Sequence, residues 1–81
     1  MSEKWLLCRI AKGMFSDETA ITYSWPGSRE TSVFVPSQFV RKDDGDTGRV
    51  KVLVFSKGPQ TWAVLPNENR EEVLVRAADI S

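Results

Sequence analysis

Two acidic clusters, one cysteine and a set of large aromatic rings are what this 81-residue chain offers for chemistry. The clusters are Asp17-Glu18 and Asp43-Asp44-Gly45-Asp46. Neighbouring carboxylates can act as acid and base when their surroundings push their proton affinities apart. The sequence around Asp17 and Glu18 supplies no evident pocket, so a carboxylate enzyme centred on them is the weakest of three functional readings. The second cluster is rich enough in acid to suggest a calcium loop. It lacks that loop's D-x-[DN]-x-[DN]-G spacing and its closing acid. Asp and Gly in this order read as a solvated hairpin turn.

The chain contains no histidine. That removes the usual general base near neutral pH and the commonest metal ligand. Ser-His-Asp and Cys-His nucleophile arrangements are excluded with it. A single cysteine without histidine cannot make a structural zinc site. Cys8 lies in an alternating apolar run, where a free thiol packs as a small hydrophobe. The five glycines are dispersed and form neither G-x-G-x-x-G nor a Walker A stretch. The expectation is a protein that is not an enzyme, with no cofactor and no metal.

Trp5, Phe15, Trp25 and Trp62 could form a stacking platform for single-stranded nucleic acid. The competing demand is the core, because a domain this small needs its aromatic area buried. Burial is the expectation. Charge agrees, since eleven basic and eleven acidic residues cancel and give no general attraction to nucleic acid or anionic membrane. No apolar run is long enough to span a bilayer, and Met1-Ser2-Glu3-Lys4 does not resemble a signal peptide. A cytoplasmic location is expected, with no membrane contact.

Alternating segments place these residues. Trp5 to Lys12, Thr19 to Trp25, Thr31 to Val35, Arg49 to Ser56, Gln60 to Leu65 and Glu71 to Arg76 read as strands by the two-residue period. Gly13, Pro26-Gly27, Lys57-Gly58-Pro59 and Pro66-Asn67 punctuate them; Pro26-Gly27 carries a type II turn signature. Arg41 to Gly48 reads as a loop. One-turn helical segments are expected near 37–40 and 77–80. Val33 to Val40 and Val73 to Ile80 share a pattern: three apolar residues, four mixed ones, then a β-branched apolar residue. The chain is therefore read as one β domain, 1–81, with a possible pseudo-repeat of 4–40 and 49–81.

The fold expectation is all-β: a small barrel or two-meander sandwich of five to six mostly antiparallel strands. The short strand and turn from Val73 to Ile80 are similar to those of SH3-like small barrels, an analogy of fold that implies no function. Several strands carry apolar residues on both faces, with Leu7 beside Cys8 and Leu53 and Phe55 beside the valine row. A sheet with one wet face alternates more cleanly. This points to a non-catalytic interaction module with a protein partner or a second copy of itself. Met14, Phe15, Asp17, Glu18 and Trp25 are the candidate partner-binding residues. Nucleic-acid binding is the runner-up.

Overall fold

The computed structural model describes residues 1–25 and 29–81, with side chains described for 1–24 and 30–81. Its seven strands are β1 (Ser2–Lys12), β2 (Glu18–Trp25), β3 (Arg29–Pro36), β4 (Val40–Asp44), β5 (Thr47–Lys57), β6 (Gln60–Val64) and β7 (Glu72–Val75). Single 3₁₀ turns occupy Ser37–Phe39 and Ala77–Asp79. All pairings are antiparallel, in the order β3-β2-β1-β5-β6-β7, with β4 also on β5. The sheet curls into a half-barrel.

β1 and β5 are the long strands, and each meets different neighbours along its two halves. β5 takes β4 along its first half (Val40 opposite Val50) and β6 along its second (Leu53 opposite Val64). β1 takes β2 along its second half (Ile10 opposite Ile21), while Ile80 bridges Leu6 near its start. The pairing recurs between halves. Ile10, Ile21 and Val33 form one cross-strand row; Val54, Ala63 and Val73 form another. Leu6 and Val50, which face each other, are met by Ile80 and Val40 respectively.

The inward side of this curl is aliphatic. Leu6, Cys8, Ile21, Val35, Val50, Val52, Ala63, Leu65, Val73 and Val75 are buried, and Tyr23 is the one aromatic among the buried described residues. Each large aliphatic side chain withdrawn from water contributes about 1.5–3 kcal/mol. Strand parity selects this set. Leu6 and Cys8 point inward, so Trp5 and Leu7 point outward. The same parity turns Phe34, Phe55 and Trp62 out. Burial of Trp5, Phe15 and Trp62 in the core is thus corrected: Trp5 and Trp62 are half-buried on the outer face, and Phe15 is exposed.

Two further expectations change. Residues 41–44 are strand rather than loop, because β4 pairs through its backbone with β5 although nearly all its side chains are exposed. That gives seven strands where five or six were expected. Gly45 (φ 54°) and Gly58 (φ 62°) supply the positive φ that opens the two-residue connections β4–β5 and β5–β6. The Pro26-Gly27 turn lies outside the described residues.

Candidate functional site

The loop between β1 and β2 is held tightly. A Cβ at Gly13 would lie 2.6 Å from the Glu18 carbonyl oxygen, so only glycine lets the chain double back here. The Glu18 N–H donates to the Phe15 carbonyl at 3.1 Å, and the Ser37 N–H donates to the Asp17 carbonyl at 2.8 Å. The hydroxyls of Thr19 and Ser37 are 2.7 Å apart. These bonds pin the loop to the first 3₁₀ turn. On that fixed backbone Met14 is 76% exposed and Phe15 65%. Large apolar side chains presented from a pinned backbone lose little freedom when a partner covers them.

β3 extends this surface. Phe34 stands opposite Ala20 on the outer face, and Pro36 stands opposite Glu18. Ala20 in turn faces Ala11 of β1, so small neighbours leave Phe34 46% exposed. β3 ends the sheet order, so β2 is its one strand partner among the described residues. Across from its free edge runs the segment joining β6 to β7. Asn67 shapes that segment: its side-chain amide donates to Glu71 Oε1 at 3.1 Å, and its Oδ1 accepts the Glu71 N–H at 3.0 Å. Between edge and segment lies a groove of about 460 Å³. Glu18, Phe34 and Pro36 line one wall; Pro66, Glu68 and Glu71 line the other.

The structure therefore keeps Met14, Phe15, Asp17 and Glu18 together on one anchored loop, and of these Glu18 reaches the groove that Phe34 lines. It does not gather Trp25, which ends β2 while Glu18 begins it. Seven residue steps separate the two by roughly 23 Å at about 3.3 Å per residue. The Trp25 side chain itself lies outside the described residues. Asp17 is exposed and contributes its carbonyl to the loop anchor, whereas Glu18 turns toward the groove. Phe34 was missed in the sequence although its parity was visible there, between inward Val33 and Val35. Glu68 and Glu71 carried no signal, because only tertiary packing sets them against β3.

The outer face of β5, β6 and β7 is the second apolar surface. Phe55, Trp62 and Leu74 form a cross-strand row, flanked by Leu53 and Val64. The rings of Phe55 and Trp62 stack at 6.4 Å between centroids and 13° between planes. On β1, the Arg41 guanidinium lies 4.8 Å from the centre of the Trp5 ring, and Lys51 Nζ lies 5.8 Å away. Both described tryptophan rings thus already have partners within the chain. Such cation–π contacts contribute about 0.5–1 kcal/mol each at exposed sites.

Comparison of the chain with protein-family models, curated proteins and solved structures finds no match. The site has to speak through its own geometry. Among the described residues no three of Cys, Asp and Glu converge as a metal site, and no helix is long and apolar enough to cross a membrane.

Cys8 is packed opposite Gly48, and its thiol donates to the Gly48 carbonyl at 3.6 Å. Burial pushes its pKa up to about 11; the Asp43 carboxylate adds to the rise and Arg49 opposes it. Since the thiolate is the reactive form, iodoacetamide at pH 8 should leave Cys8 unmodified in the native protein and label it fully in urea. Because the folded pKa is the raised one, Cys8 supports the fold below the unfolded value near 9 and ceases to do so as pH climbs through about 11. Rapid native labelling at pH 8 would contradict this placement.

Proposed function

We propose that the chain is a small non-catalytic interaction domain that holds a protein partner through the Met14–Glu18 loop and the adjoining surface of β3. The observation that carries this reading is the exposure of Met14 and Phe15 on a hydrogen-bonded loop that leads into Glu18, which shares a groove with exposed Phe34. Apolar side chains gathered on one surface commonly mark interaction sites. A folded chain gains nothing for its own stability by fixing a loop that keeps two large apolar groups in water. The buried free thiol suits a reducing compartment, and we place the protein in the cytoplasm. Its likeness to SH3-like barrels rests on the strand-and-turn pattern alone.

Nucleic acid is the less favoured partner. Trp5 sits with cations, as a base-stacking platform does, but Arg41 covers its face and Lys51 is engaged with Glu3 at 3.5 Å. Asp43 likewise holds Arg49 at 3.1 Å. These pairings leave less free positive charge for phosphates.

Phe15→Ser tests the protein-binding reading. The exposed side chain contributes little to the fold, so the free energy of unfolding should stay within about 0.5 kcal/mol of the parent's. Partner capture, or concentration-dependent association in sizing and sedimentation, should be lost. Unchanged association by Phe15→Ser, or by a Met14→Ser/Phe15→Ser double variant, would remove the loop from the interface.

A further inference from the structure

The groove beside β3 has a chemistry that singles out one kind of occupant. Among the described residues its lining contains the carboxylates of Glu18, Glu68 and Glu71 and no lysine or arginine. The five salt bridges found among the described residues involve Glu3, Glu30, Asp43 and Asp79, and none of the three groove carboxylates. In a chain whose formal charges cancel, this makes an acidic cleft with no cation among the described residues that line it. Glu71 is partnered by the neutral Asn67 amide, which preserves its negative charge.

The second property is the backbone. β3 is the last strand of the sheet order. On such an edge, alternate residues turn their N–H and C=O groups away from the sheet. Natural edges are commonly blunted by lysine, an inward charge or a covering element. Along the groove, Val33, Phe34 and Val35 carry no charge at all, and Pro36, which lacks an N–H, closes the usable stretch. An uncharged strand edge facing a cleft open to solvent is the arrangement that strand addition requires.

We infer that the groove receives an extended basic peptide segment, which adds to β3 as a further antiparallel or parallel strand. This rests on the interaction-domain reading and names the partner's chemistry. Backbone bonds to β3 hold the segment, alternate apolar side chains lie against Val33, Val35 and Pro66, and lysine or arginine side chains meet the carboxylates on both walls. A second copy of this chain is a poorer occupant, because edge-to-edge pairing would bring two sets of groove carboxylates together.

The test uses a capped eight-residue peptide alternating Lys and Val, titrated into isotopically labelled protein at low salt. Amide shifts are expected at Phe34, Val35 and Glu68–Glu71. A Glu18→Gln/Glu68→Gln variant should bind about tenfold more weakly, and added salt should weaken the parent similarly. A peptide with Glu in place of Lys, and one N-methylated at alternate residues, should not bind. Absence of binding, or shifts confined to other surfaces, overturns the inference. So does equal binding of the Glu peptide. Undiminished binding of the N-methylated peptide overturns strand addition. Concentration-dependent shifts of β3 amides without peptide would assign the edge to a second copy instead. If peptide binding fails while Phe15→Ser still abolishes partner association, the basic-peptide assignment falls and the interaction domain stands; if both fail, both fall.

Discussion

Leu6→Ala should lower the free energy of unfolding by about 3 kcal/mol, within the roughly 2–5 kcal/mol seen for such truncations in cores. Leu6 is 1% exposed. It faces Val50 across the β1–β5 ladder and is bridged by Ile80 from the end of the chain. Its side chain therefore sits where the set β1–β3 meets the set β4–β7, and three separate segments would have to move to refill the space. Residues so placed relax poorly, and unrelaxed cavities are the costly ones. A chain of this length has about 4–12 kcal/mol of total stability, so the loss is a large fraction of the whole. Urea unfolding followed by tryptophan fluorescence measures it through the midpoint at constant slope. A loss under about 1 kcal/mol would show that the site collapses easily and that Leu6 does not hold the two sets together.

Gly48→Val should be as damaging by the opposite mechanism. By strand preference alone valine would improve β5. Yet a Cβ at Gly48 would lie 2.7 Å from the Arg41 carbonyl oxygen and 3.1 and 3.2 Å from the Ile10 side-chain carbons. The Ile10 chain can shift by a few tenths of an ångström. The Arg41 carbonyl is backbone, and it moves only if β4 swings away from β5. Overpacking of this kind costs typically about 1–3 kcal/mol, and valine adds two methyl groups beyond the Cβ. The loss of β4 pairing should show as faster amide exchange across 40–44, with β6 and β7 still protected. A valine variant as stable as the parent would mean that β4 is not seated where the structure has it.

Much of the architecture was legible because the core is built on period two. Leu6 with Cys8, Val50 with Val52, and Val73 with Val75 announce their strands and their inward faces together. Both one-turn segments were legible too, since Pro36 and Arg76 each stop an apolar triplet before mixed residues. β4 was not. Arg41, Lys42, Asp43 and Asp44 offer no apolar alternation, and β4 exists because its backbone finds β5 and because Asp43 meets Arg49. The aromatic residues misled for a related reason. Demand for apolar area says that rings should be inside, but parity places Trp5 and Trp62 on the outer face, where neighbouring strands half-cover them. Of the candidate site, Met14, Phe15, Asp17 and Glu18 could be found as a loop mixing apolar and acidic groups. The groove could not, because Glu68 and Glu71 reach β3 only through the curl of the whole sheet, and Trp25 proves to belong to the other end of its strand.

Ser81 closes onto β1: the Trp5 N–H donates to the Ser81 carbonyl at 3.0 Å, and the Ser81 N–H donates to the Trp5 carbonyl at 2.9 Å. In a polypeptide emerging from the ribosome, β1 around Trp5 consequently has β5 alone beside it until residue 81 is out. Folding must wait for synthesis, as contacts between distant residues always require. During that wait Leu6 lacks the cover of Ile80, which makes the growing chain, more than the folded one, the form that needs protection from clumping.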